Sequence, residues 1–157
     1  MDLPKIGKLA PDFKIKNHDG VVFDLKKWRG KNVVLYFYPK AMTPGCTTQA
    51  CGVRDRQKEF DLLNTKVFGI SIDGPKKLLK FIEKEKLNFD LLSDPDHEVA
   101  DLFGVWGLKK FMGKEYMGTK RVTFIIGVDG KLKFIMDPVK SKTHHEDLLE
   151  YIKNHLI

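Results

Sequence analysis

Apolar positions along the chain fall into short continuous runs separated by segments of helical spacing. Residues 32–38 (NVVLYFY) form an almost unbroken apolar run with β-branched and aromatic side chains, which predicts a strand covered on both faces and stopped at Pro39. Residues 66–72 (KVFGISI) predict a second buried strand, closed by Asp73-Gly74. Shorter strands are expected over 21–25, after the turn Asn17-His18-Asp19-Gly20, and over 90–93. Residues 122–128 and 131–136, joined by Asp129-Gly130, carry a hairpin signal. Cys46, Ala50, Val53 and Phe60 recur at helical spacing and predict a helix over 46–63, interrupted by Gln57. Pro75 suits the first position of a helix running to about Lys86, and Asp94-Pro95 starts a short one through Val99, Leu102 and Phe103. Thr143 and Glu146 have the spacing of a capping box, opening a last helix with Leu148, Leu149, Ile152 and Leu156.

Strands alternating with helices and then a hairpin predict an α/β fold with a central mixed β-sheet flanked by α-helices. The 157 residues suit one domain, 1–157, with no repeat, linker or low-complexity stretch. The junction after Tyr38 lies at the carboxyl end of a central strand, where open α/β sheets tend to bind ligands. Both cysteines fall there or in the helix that follows.

Composition changes this picture little. The hydrophobic share of 42% and charged share of 31% are those of an ordinary globular protein. The net charge of +7 raises the question of an anionic partner, but the lysines are spread along the chain beside acids. No nucleic-acid partner is expected. No apolar run is long enough to span a bilayer, and Met1-Asp2-Leu3-Pro4-Lys5 lacks the pattern of a signal peptide, so a cytoplasmic location is expected. In a reducing compartment a close cysteine pair is more often catalytic or metal-binding than a static staple. Cys46 and Cys51 have no second Cys or His pair to complete a zinc site, and adjacent His144 and His145 make poor co-ligands. No metal or cofactor is expected, and redox chemistry is the sharp option.

A thiol attacks as its thiolate, so a reactive cysteine needs an environment that favours the anion. Thr43 is placed to be an N-cap and Pro44 the first helical residue, putting Cys46 in the first turn, where unpaired N–H groups favour negative charge. That position is worth about 0.3–1 kcal/mol, under one unit of thiol pKa, so a cation or a dry, donor-lined pocket must add to it. The rival reading is a small buried hydrophobe. On an ideal helix, residues five apart have Cα atoms roughly 8–9 Å apart, whereas a disulfide needs about 4.4–6.8 Å. Either Cys46 and Cys51 are unrelated, or oxidation requires the first turns to unwind, which Gly52 would ease.

Beyond these local features, the chain resembles the peroxiredoxins, and among them the bacterioferritin comigratory protein, or Q-type, group. The family pattern of Pro, three residues, Thr, two residues, Cys is met by Pro39, Thr43 and Cys46, and Cys51 stands at the group's resolving position. The phrase Arg121-Val122-Thr123-Phe124 matches that of the family's active-site arginine. Further similarity lies in Gly7-x-x-Ala10-Pro11-Asp12-Phe13, in Phe89 through Asp94, and in Gly104-Val105-Trp106-Gly107. The resemblance implies a thioredoxin-like fold and an antioxidant thiol peroxidase that reduces hydrogen peroxide and organic hydroperoxides. It implies that Cys46 is oxidised to a sulfenic acid, that Cys51 resolves it as an intrachain Cys46–Cys51 disulfide, and that thioredoxin or a similar dithiol reduces the disulfide. Thr43 would hydrogen-bond the peroxide, Pro39 would shield the site from water, and Arg121 would supply the cation. The resemblance leans towards a monomer.

Each assignment has a blander counterpart: Arg121 as a solvated strand end, Thr43 as a cap, Pro39 as a strand stop. Trp28, Phe103 and Trp106 read as core or pocket wall, and His18, His97 and His155 as surface residues. Two positions depart from many relatives: Ala41, where an acidic or polar residue is common, and Gln49, where Glu is common. A thioredoxin-like disulfide reductase would want Cys-x-x-Cys in place of the wider spacing here. A binding or chaperone module on the same scaffold would show no peroxide turnover.

Overall fold

The computed structural model describes residues 3–156; Met1 and Asp2, part of the chain start read above, and Ile157 lie outside the described residues. In chain order the elements are β1 (Lys14–Lys16), β2 (Val22–Asp24), a 3-10 turn (Leu25–Trp28), β3 (Asn32–Phe37), α1 (Pro44–Asp55), α2 (Gln57–Leu62), β4 (Thr65–Ser71), α3 (Pro75–Glu85) and β5 (Leu91–Ser93). Then follow α4 (Glu98–Leu102), β6 (Trp106–Phe111), β7 (Lys114–Thr119), β8 (Val122–Ile126), β9 (Leu132–Met136) and α5 (His144–His155).

A five-stranded sheet has the order β5-β4-β3-β8-β9. β3 pairs in parallel with β4 and antiparallel with β8, so the sheet is mixed, as the strand pattern predicts. Every residue of β3 is buried, and successive side chains point to opposite faces. Val34 and Tyr36, with Tyr38 beyond the strand, join a core with Ala50, Val53, Phe60, Phe81 and Leu148 from α1, α2, α3 and α5. Val33, Leu35 and Phe37 join a second core with Phe13, Phe23, Val99 and Phe103. Trp28 and Trp106 pack against that second core, in keeping with a core or pocket-wall role.

Several expectations are corrected. The helix over 46–63 is two helices, because Arg56 leaves helical space (φ −115°, ψ 15°) and its N–H bonds Val53 O, three residues back. The Gln57 side chain then reaches back to Val53 O, and Phe60 still packs into the same core as Val53. The capping box does not form. Thr143 lies at φ −117°, ψ 1°, outside the extended region a capping side chain needs, and its hydroxyl bonds the Asp147 carboxylate at 2.9 Å. The short helix begins at Glu98, with Asp94 accepting the N–H groups of Val99 and Ala100 at 3.1 and 2.9 Å. The β6–β7 hairpin had no counterpart in the reading of the sequence, although Met112 and Gly113, both at positive φ, form the two-residue turn such hairpins favour. His18 is not a surface residue: its side chain is only 12% exposed.

Candidate active site

The segment between β3 and α1 is held from the neighbouring strand. Tyr38 N–H bonds Ile70 O at 3.0 Å, and Ala41 N–H bonds Asp73 Oδ2 at 2.7 Å. The same oxygen accepts Ser71 Oγ at 2.8 Å. Asp73 therefore ties the segment to the end of β4, and Ala41 is buried in the core, where an acidic side chain would lack water. Pro39 is half-buried at the end of the strand run. Thr43 is the N-cap residue by position (φ −79°, ψ 156°), but its side chain makes no cap bond; its hydroxyl donates to Lys40 O at 2.9 Å. Pro44 opens α1, and Cys46 is its third residue, where backbone N–H groups lack an intrahelical partner.

Cys46 is 2% exposed, and Arg121 Nη2 donates to its Sγ at 3.4 Å. The sheet explains how a residue 75 positions away arrives there. β8 runs antiparallel to β3 with Phe37 opposite Val122, so Arg121 is delivered to the carboxyl end of β3, where α1 begins. A Cβ on Gly45 would lie 3.5 Å from Nη2, so the helix start approaches the guanidinium closely. Arg121 Nη1 donates to Oε1 of Gln49, one turn after Cys46. Gln49 Nε2 lies 3.1 Å from His144 Nδ1, and His144 Nε2 lies 2.8 Å from Thr123 Oγ1. Gln49, Thr123 and His144 are fully buried. Lys109, from β6, donates to Thr119 O at 3.0 Å; burial, then the charge of Arg121, hold its ammonium below the usual lysine range.

Cys51 lies on the same unbroken helix and is half-buried; both cysteines are free thiols. Its Sγ donates to Glu85 Oε1 at 3.7 Å, at the end of α3. Burial pushes the Cys51 thiol up and Glu85 adds to this, against the opposing charge of Arg54. Arg54 is anchored on Glu85 O at 2.6 Å.

The structure thus brings Cys46 and Arg121 into contact and sets Cys51 apart along α1. Asp73 and His144 escaped the sequence reading as site residues, and Gln49 entered it only as a departure. A signal existed for His144, which shares an i, i+4, i+8 stripe with Leu148 and Ile152, all fully buried. None existed for Asp73, whose contact crosses 32 residues of sequence. Among the described residues no group of three or more His, Cys, Asp or Glu is placed to hold a metal ion.

A thiol on the first turn of a helix, at the end of a central strand and against a guanidinium, defines a thiol enzyme of the thioredoxin-like class. Residues 6–135 match the model of the AhpC/TSA family. The chain is 50% identical over 151 residues to peroxiredoxin Bcp of Escherichia coli K12, covering 96% of this chain and 97% of that protein. It is 46% identical over 150 residues to peroxiredoxin Bcp of Bacillus subtilis, covering 96% of each. A Xanthomonas campestris bacterioferritin comigratory protein, whose structure is described for its alkyl peroxide reduction activity, superposes with a TM-score of 0.90. It is 30% identical, and the match covers 98% of this chain and 100% of that one. The chain belongs to the peroxiredoxins, in the bacterioferritin comigratory protein (Q-type) group of the AhpC/TSA family. It is a peroxide-reducing thiol peroxidase.

Proposed function

We propose that the chain is a dithiol-dependent reductase of hydrogen peroxide and organic hydroperoxides, with Cys46 as the peroxidatic and Cys51 as the resolving cysteine. The observation that carries this reading is the 3.4 Å contact of Arg121 with the Cys46 sulfur. The Cys46 thiolate attacks the terminal oxygen of the hydroperoxide. An S–O bond forms, the O–O bond breaks, the sulfur is oxidised by two electrons, and the departing alkoxide or hydroxide takes up a proton as alcohol or water. Arg121, donating to the sulfur, also steadies negative charge growing on the peroxide. The Thr43 hydroxyl gives its proton to Lys40 O and keeps its lone pairs free to accept from the peroxide O–H. Pro39 shields the site from water.

Cys51 then attacks the sulfenic sulfur, expelling water and leaving the Cys46–Cys51 disulfide. Both residues lie within α1, so its first turns unwind before the two sulfurs meet. Thioredoxin or a similar dithiol reduces the disulfide by exchange and is itself oxidised. The cycle serves antioxidant defence and redox homeostasis, in a cytoplasmic monomer.

The test mixes reduced, anaerobic protein with hydrogen peroxide and follows intact mass. Wild-type protein is expected to lose two hydrogens, and Cys51→Ser to gain one oxygen at Cys46. Reaction no faster than that of a free thiol ends the proposal.

A further inference from the structure

His144 is, among the described residues, the only fully buried histidine, and it sits on the helix farthest along the chain from Cys46. It nevertheless closes a line of contacts that begins at the reactive sulfur: Cys46 Sγ, Arg121, Gln49, His144, Thr123. The donor and acceptor roles along this line follow from its first member. A guanidinium has only donors, so the amide oxygen of Gln49 faces Arg121 and its NH2 faces His144. The NH2 donates, so Nδ1 of His144 is a bare acceptor. A neutral imidazole with a bare Nδ1 carries its proton on Nε2 and donates it to Thr123 Oγ1.

The opposite proton placement would set N–H of His144 against NH2 of Gln49. The amide would then have to turn over, and its NH2 would face the guanidinium, donor against donor. Protonating both nitrogens has the same result. Burial, with the nearby charges of His145 and Arg121, pushes the His144 pKa down to about 3, which keeps the ring neutral at working pH.

We propose that His144 is a positioning residue for the peroxidatic centre: its neutral, Nε2-protonated imidazole fixes the amide of Gln49 and, through it, the guanidinium of Arg121 on the Cys46 sulfur. The inference rests on the reading of Cys46 as the cysteine that meets the peroxide. The loop and helix following β9 thereby become part of the active site.

The experiment uses the full chain in a Cys51→Ser background with His144→Asn, His144→Gln and His144→Leu. The amide oxygen of Asn can stand where Nδ1 stands. That of Gln reaches the Nε2 position and leaves the Gln49 amide without its acceptor. Three quantities are measured for each: iodoacetamide alkylation of Cys46 at pH 6, the second-order rate with hydrogen peroxide, and the melting temperature. His144→Gln and His144→Leu are expected to slow both reactions by about tenfold, the scale of a lost supporting contact behind a reactive group, with His144→Asn within about threefold of the parent.

A space-filling role beside Tyr36 predicts the reverse order or losses that simply track melting temperature, and either result overturns the proposal. Should His144→Leu fail to fold, the two amide variants still decide. Nitrogen-15 NMR of the parent protein gives a second, independent reading, since a proton found on Nδ1 also overturns it. Wild-type protein that turns over no peroxide sinks the peroxidase reading instead, while the alkylation series still decides what His144 does for Cys46.

Discussion

Gly52 and His145 interlock: a Cβ on Gly52 would overlap the imidazole ring of His145, so α1 and α5 meet where α1 has no side chain. A glycine inside a helix reads in sequence as a weak point, and the proposed unwinding of α1 would use that weakness. The structure adds a second reason for it, close approach of another helix. The two predict opposite signs for Gly52→Ala. Helix propensity alone would gain about 1 kcal/mol, whereas overpacking costs about 1–3 kcal/mol. The overlap is with a ring half-enclosed in the fold, 16% exposed in its side chain, so packing should win. Urea unfolding is expected to show net destabilisation of about 1 kcal/mol. A gain of stability would mean that His145 swings aside freely.

The histidine beside it makes stability depend on acid. His144 is held neutral, its pKa pushed down from 6.5 to about 3, chiefly by burial. As pH falls below 6.5 the unfolded chain takes up a proton on this residue, while the folded chain takes none until about pH 3. The stability it contributes is therefore fully present above pH 6.5 and is lost progressively as pH falls towards 3. The slope approaches about 1.4 kcal/mol per pH unit. Urea midpoints of wild type and His144→Asn across this range should converge as pH falls. Parallel curves would show that the imidazole titrates normally in the fold.

Where sequence periodicity is local, it anticipated structure. The run at 32–38 became the fully buried β3, and Pro75 opens α3 at the first helical position. Contacts across distant segments left no such trace. The bond from Asp73 to Ala41 and the Gln49–His144 pair join residues 32 and 95 apart, and neither residue type announces its partner. Arg121 and Cys46 were paired through family resemblance alone, because their meeting depends on the antiparallel register of β3 and β8. Thr143 shows the converse failure: a capping box complete in sequence, undone because the backbone turns at ψ 1° before the helix.

The Cys51 thiol is restrained by its neighbours while α1 is folded. Burial raises the Cys51 pKa most, and the adjacent Glu85 carboxylate raises it further. Glu85→Gln removes a negative charge and should move the pH profile of Cys51 alkylation to lower pH. In a Cys46→Ser background the rate at pH 8 is expected to rise about two- to fivefold, a modest effect because the site is partly open to solvent. Arg54 bonds the backbone carbonyl of residue 85, so its anchor survives the change. Added salt should shrink the difference by screening. An unchanged profile would leave burial as the sole restraint on Cys51.

In the proposed reaction Arg121 carries the heaviest chemical demand, because the position of Cys46 on the first turn of α1 is worth only about 0.3–1 kcal/mol to an anion. Two substitutions separate its charge from its shape. Arg121→Gln removes the cation and the guanidinium donor to the sulfur, and the peroxide rate should fall by about 10²–10³-fold, the range seen when a preorganised donor to a developing anion is lost. Arg121→Lys keeps a positive charge but presents a point, without the fork that reaches Gln49 and Cys46 together. Its rate should lie between, about tenfold below wild type if geometry matters as well as charge. Stopped-flow peroxide consumption under single-turnover conditions measures both variants against the parent. Arg121→Gln reacting within twofold of wild type would mean that the thiolate is held by the helix end alone, and Arg121→Lys matching wild type would mean that charge suffices and the fork is incidental.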